Sequence, residues 1–227
     1  LLFIANSITK PINILCNAFI DSFTPWAYNQ MKMKSDKQII RKYAINIIIT
    51  VSVLCFVISI LIGDFVKILF KNEFENIGLI LNFFVFYSLI NLIKNVNLSL
   101  LLHNKKRTSL VQWPTYINLI VNALLGIYLI SILGYMGSGI AMFVSRLISG
   151  SLTYYYASKH TDINIGWKYV IMLPLMLLSL SIFISLYIKS IYFKIFIILA
   201  IMLLWIKYFG GLIVLKRIFK KLNIFHS

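Results

Sequence analysis

An all-α bundle of about seven membrane-crossing helices is the fold this sequence predicts, and three observations predict it. Of the 227 residues, 60% are apolar, 15% aromatic and only 12% charged, and the mean hydropathy is +0.90; soluble domains do not have that composition. The chain can be cut into apolar runs of about 20 residues, the length that fills a hydrocarbon layer of roughly 30 Å. Its cations sit mostly on alternate loops between those runs, as topology signals do in membrane proteins.

Seven segments follow in order: 1–29, 43–63, 77–102, 109–133, 137–157, 168–188 and 191–209. The first carries Asn6, Lys10, Asn13, Asn17, Asp21 and Thr24 at steps of three and four, which is one helical face. Pro11 lies inside it, and Pro25 in SFTPWAY marks its end. The second segment is apolar with scattered serines. The third repeats the polar face with Ser88, Asn91, Lys94 and Asn95, and the fourth with Gln112, Thr115, Asn118 and Asn122. The fifth has Ser145, Arg146, Ser149 and Thr153. The sixth and seventh have no such stripe and are expected to face lipid or apolar helices. Between the fourth and fifth, LGYMGSG reads as a tight hairpin in which Gly139 lets helices approach closely. No strand precedes these glycines and no GK[ST] follows, so they are not a phosphate loop. The chain opens LLFIANS without an initiator methionine or a leader pattern, and is expected to be a fragment.

Charge then orients the bundle. The loop at 30–42, the HNKKRT turn, the stretch 158–168 and the tail hold fifteen cations, against four at Lys67, Lys71, Lys189 and Lys194. That asymmetry predicts a cytoplasmic C-terminus. The net charge of +16 is thereby absorbed as topology and attraction to anionic lipid, and nucleic acid is not an expected partner. Trp26, Trp113, Trp167 and the Tyr154–Tyr156 run fall near the same ends, where amphipathic rings favour the headgroup level. Cys16 and Cys55 lie in apolar runs and read as small hydrophobes. His103, His160 and His226 have no metal-ligand spacing, so neither a metal nor a cofactor is expected.

Four helices thus have one polar face each, and the functional question is what those faces enclose. Asn and Ser also hydrogen-bond helices together, and for the fourth segment glue and cavity lining stand level. Lys10, Lys94 and Arg146 are harder to treat as glue, because a cation deep in the bilayer costs at least about 2.5 to 3.5 kcal/mol. The six carboxylates are Asp21, Asp36, Asp64, Glu73, Glu75 and Asp162, and only Asp21 shares a span with these cations. Either a missing part of the protein supplies counter-charge or a transported anion does. A phosphate-bearing substrate suits such a cavity, since arginine offers several coplanar donors.

The passage INLIVNALLGIYLISILGYMGSGIAMFVSRLISGSLTYYYASK resembles the "N, apolar run, G-x-x-G-x-G/A-x-A, polar span" stretch of bacterial polysaccharide flippases, within the multidrug/oligosaccharidyl-lipid/polysaccharide exporter superfamily. AFIDSFTPWAYNQMK is similar to the proline-bearing helix end found earlier in the same half. The resemblance implies the second lobe plus two extra C-terminal helices of a MATE-like flippase: residues 1–157 as the second-lobe bundle, 158–209 as two additional helices and 210–227 as a basic cytoplasmic tail. It implies flipping of undecaprenyl-pyrophosphate-linked oligosaccharide across a bacterial cytoplasmic membrane for O-antigen or capsule synthesis, by alternating access, and contacts with the polymerase machinery. Lys10, Lys94 and Arg146, with Asn13, Asn17, Asn91, Asn118 and Asn122, would bind the substrate, and Asp21 is the one candidate in this half for ion coupling. A drug exporter of the same superfamily would carry carboxylates in its cavity. A membrane-embedded glycosyltransferase or phosphatase would need an acid, base or metal at the reacting centre, so an enzyme is not expected. A structural subunit would explain the spans but not the three cations.

Overall fold

The computed structural model describes residues 2–33, 36–70, 77–102, 110, 112–161, 163–188 and 190–209. The HNKKRT turn, Lys71, Glu73, Glu75, Asp162, Lys189 and the basic tail lie outside the described residues. Among those described there is no strand, and seven helices follow one another: α1 (Leu2–Lys32), α2 (Lys37–Phe70), α3 (Ile77–Leu102), α4 (Gln112–Leu133), α5 (Tyr135–Thr161), α6 (Leu173–Tyr187, entered through a π-helical turn at Lys168–Met172) and α7 (Ile191–Phe209). Four stretches are long and apolar enough to cross a membrane: Lys37–Ile68, Gly78–Leu102, Gln112–Leu133 and Lys168–Tyr187. α1 and α5, which carry polar faces and charges, are not among them.

Local chemistry explains where these helices begin, bend and end. Asp36 accepts from the backbone N–H of Gln38 at 2.9 Å through its carboxylate and from that of Ile39 at 3.0 Å through its carbonyl. This N-cap starts α2 well before the 43 expected from the apolar run. α2 then continues to Phe70 rather than ending at 63. At about 1.5 Å per residue it exceeds the hydrocarbon thickness, so its ends extend beyond the apolar layer it can fill. Pro25 does not end α1 as the sequence suggested: the helix runs through it to Lys32. The hydroxyl of Thr24 donates to the Ile20 carbonyl at 2.9 Å, beside the Asp21 carbonyl that proline leaves without its amide partner, the kind of side-chain support that lets apolar helices keep a proline. Pro174 acts upstream of itself. Without an N–H for Val170 and with its ring against that carbonyl, it is preceded by a widened turn, closed by the Leu173 amide bonding the Lys168 carbonyl.

The chain falls into two compact units, Leu1–Tyr187 and Ile188–Ser227. In the first, α3 is the hub: it packs against α1, α2, α5 and α6, while α4 packs against α5. Leu81, Phe86, Leu89, Leu92, Ile93 and Val96 of α3 are wholly buried by these neighbours. Contacts fix the helix directions. Thr24 meets Ser99 at 2.9 Å, so α1 and α3 run parallel. Ser59 donates to Asn82 at 2.7 Å and Gly63 lies against Gly78, so α2 is antiparallel to α3. Gly139 packs on Ile80 and Phe83, and Gly150 on Ile90, which makes α5 parallel to α3. Cys16 of α1 and Cys55 of α2 are free and buried. The second unit is described by α7 alone, an apolar helix with Phe193 stacked on Phe196.

Rings collect at the end where α1 stops and α2 starts. Trp26 packs on Tyr43 with centroids 4.3 Å apart, next to Phe23. Tyr154 meets Trp167 edge-on at 4.5 Å and donates to the Asn164 side-chain carbonyl. At the other end α4 turns into α5 through Gly134 alone, whose φ of +58° is the left-handed conformation glycine adopts without strain.

Candidate functional site

α3 and α5 carry the site because they approach closely. A Cβ added at Gly150 would stand 3.2 Å from Ile90 Cγ2 and 3.9 Å from Lys94 Cβ, so the glycine lets the α5 backbone lie near the Lys94 turn without crowding Ile90. One turn earlier on α5, Arg146 reaches back to α3. Its guanidinium carbon lies 4.8 Å from the centroid of the Tyr87 ring, and one terminal nitrogen donates a short hydrogen bond to the Tyr87 hydroxyl. Tyr87, Asn91 and Lys94 follow one another at steps of four and three and therefore share a face of α3. Lys94 is 6% exposed. Its ammonium donates to Thr115 Oγ1 on α4 at 3.5 Å, the long limit of a hydrogen bond.

Two cations are thus held among three helices, Arg146 at Tyr87 and Lys94 two turns further along α3 at Thr115, and both of these partners are neutral. Arg146 Nε, Ser149 Oγ and Asn118 Oδ1 are buried and have no hydrogen-bond partner among the described residues. Ser149 lies one turn beyond Arg146 and Asn118 one turn beyond Thr115, so all three belong to the helical turns around the cation pair. Buried polar groups cost free energy when unpaired. An anion with acceptor oxygens has the chemistry to satisfy a buried guanidinium nitrogen.

The other sequence-predicted residues take different places. Asn91 is half-buried on the α3 face that carries Tyr87 and Lys94, and Asn118 and Asn122 are half-buried on the α4 face that carries Thr115. Lys10, Asn17 and Asp21 are exposed on α1 and Asn13 is half-buried. α1 therefore presents its polar stripe outward from the unit and does not close it over Lys94 and Arg146. Counting equal steps back from the Thr24–Ser99 contact along parallel helices places Lys10 at the depth of Val85, within a turn of Tyr87. Several other polar residues turn out to be locally satisfied: Ser88 donates to the Phe84 carbonyl, Ser145 to Met142 and Thr153 to Ser149.

Sequence reading missed Tyr87 and Gly150. The signal for Tyr87 was present, a hydroxyl one turn before Asn91 on the Lys94 face, but the neighbouring Ser88 had been placed on that stripe instead. Comparison with known proteins adds no assignment: no protein-family model, curated protein or solved structure matches the chain.

Proposed function

We propose that this chain is part of a bacterial flippase that moves undecaprenyl-pyrophosphate-linked oligosaccharide to the outer leaflet of the cytoplasmic membrane, with its C-terminus in the cytoplasm. The observation that carries this reading is that Arg146 of α5 and Lys94 of α3, both on the seam between these helices, are met by the neutral hydroxyls of Tyr87 and Thr115. In a membrane interior such a pair is costly unless an anion visits it. Pyrophosphate supplies two linked phosphate groups, and the arginine can meet one of them with parallel donors while the lysine acts on the other as a point charge. The outward polar stripe of α1, with Lys10 and Asp21, supports a wet surface alongside, and the apolar helices suit the polyprenyl chain. On this reading the protein is a transporter rather than an enzyme, and the resident partner is the lipid-linked sugar.

The test is delivery of lipid-linked glycan in cells carrying the full-length protein. Losing one charge-assisted contact amounts to about 1.5 to 3 kcal/mol, so Arg146→Ala or Lys94→Ala should lower surface polysaccharide about tenfold or more while membrane insertion persists. Normal surface glycan from both variants would overturn the assignment.

A further inference from the structure

We propose that the start of α2 holds one anionic phospholipid, with its phosphodiester on Arg41 and Lys42 and an acyl chain along the apolar ridge below them. The site is a groove of about 490 Å³ lined by Asp36 and by Gln38, Arg41, Lys42, Ile45 and Asn46, which share one face of α2. Both cations are exposed. Asp36 is the only acid among the lining residues, and its carboxylate already accepts the Gln38 backbone N–H at 2.9 Å. The groove therefore sets two cations against one acid, and arginine and lysine are the side chains that meet a phosphate as a fork of donors and as a point charge.

Depth decides which phosphate this is. α2 has 34 residues, about 51 Å of helix at about 1.5 Å per residue, roughly 21 Å more than the hydrocarbon layer it crosses. Shared between the two ends, that excess carries about seven residues out at each, so Arg41 and Lys42, in the second turn after Lys37, stand at headgroup level. The rings agree with this depth: Tyr43, next to Lys42, packs on Trp26 at 4.3 Å, and such amphipathic rings favour the same layer. A free phosphate needs only the cations, whereas a phospholipid also needs an apolar track that leads from them into the bilayer. Ile45, Ile49, Val53 and Val57 supply it, following one another at steps of four and all half-buried, as a ridge that starts inside the groove. Charge, depth and track coincide on one helix, which distinguishes a seated lipid from the diffuse attraction of basic loops to an anionic surface.

The experiment titrates the purified full-length protein in neutral detergent micelles with phosphatidylglycerol, phosphatidylcholine or inorganic phosphate, and reads apparent affinity from the rise in unfolding temperature. Phosphatidylglycerol should protect saturably, and the other two should not. Arg41→Gln and Lys42→Gln, both at exposed positions, should each weaken the phosphatidylglycerol effect about fivefold. Lys67→Gln removes the same charge from the opposite end of α2 and should leave the effect unchanged. Equal losses from all three variants would show attraction to the micelle as a whole and overturn the site. Equal protection by inorganic phosphate would overturn the lipid as its occupant. Wild-type protection in both Arg41→Gln and Lys42→Gln, or no saturable protection of the unaltered protein, overturns the proposal outright.

Discussion

A guanidinium bonded to Tyr87 and an ammonium two turns further along α3 sit in one bundle, and the neighbouring residues show how a largely apolar interior manages polar atoms. Most hydroxyls bond a carbonyl of their own helix, as Ser52 does with Ile48 and Ser88 with Phe84. The interhelical exceptions are therefore informative. Ser59 donates to the Asn82 side-chain oxygen at 2.7 Å, both residues being buried between α2 and α3. Ser59→Ala should destabilise the protein by about 0.6 to 2 kcal/mol, and adding Asn82→Leu should recover part of that, because the second change removes the stranded amide. Denaturation of the four members of this double-mutant cycle measures it; additive effects would show that the bond contributes nothing. At this scale the sequence reveals charge but not company. Lys94 and Arg146 stand out because each interrupts an apolar run. Tyr87 does not, since its ring counts as apolar in any periodicity, and its contact with Arg146 joins positions 59 apart in the chain.

Helix ends and close approaches belong to the next scale, and two glycines on the α4–α5 hairpin should behave oppositely. A Cβ at Gly137 would lie 2.2 Å from the Leu129 carbonyl oxygen, a backbone atom that no rotamer change can move aside, whereas a Cβ at Gly126 meets nothing within 4 Å. Gly137→Ala should cost several kcal/mol or force the hairpin open, while Gly126→Ala should be neutral or stabilising by up to about 1 kcal/mol from helix propensity. Thermal unfolding of the two variants decides, and similar melting temperatures would contradict the hairpin geometry. The hairpin itself was legible from LGYMGSG, because glycine spacing encodes both the turn and the approach. The length of α2 was not. Its start depends on one capping aspartate in a basic loop, which an apolar window cannot see, and the passage of α1 through Pro25 depends on a threonine hydroxyl that composition does not place.

At the scale of the whole first unit, α1, α3 and α5 run one way and α2 and α4 the other, so the C-terminal ends of α1, α3 and α5 gather at one end. In the sequence, the stretches that follow these three helices are rich in cations. The alternation of charge made that arrangement readable before any helix was packed, because each loop reports only which side it is on. The packing partners were not readable: that α3 rather than a cavity occupies the middle of this unit follows from the burial of nearly its entire surface. In a cysteine-free background, Gln38→Cys and Trp113→Cys should react with an impermeant maleimide from one side of the membrane and Tyr135→Cys from the other. Labelling of all three from a single side would refute the crossing pattern.

The single-residue turn at Gly134 has a mechanical consequence. It pins one end of α4, and Thr115 sits near the opposite end, about 29 Å away along the axis. A pivot of about 10° at that pin sweeps Thr115 through ~5 Å, more than enough to part it from the Lys94 ammonium. α4 is thus joined at one end to a glycine turn and touches a charge at the other.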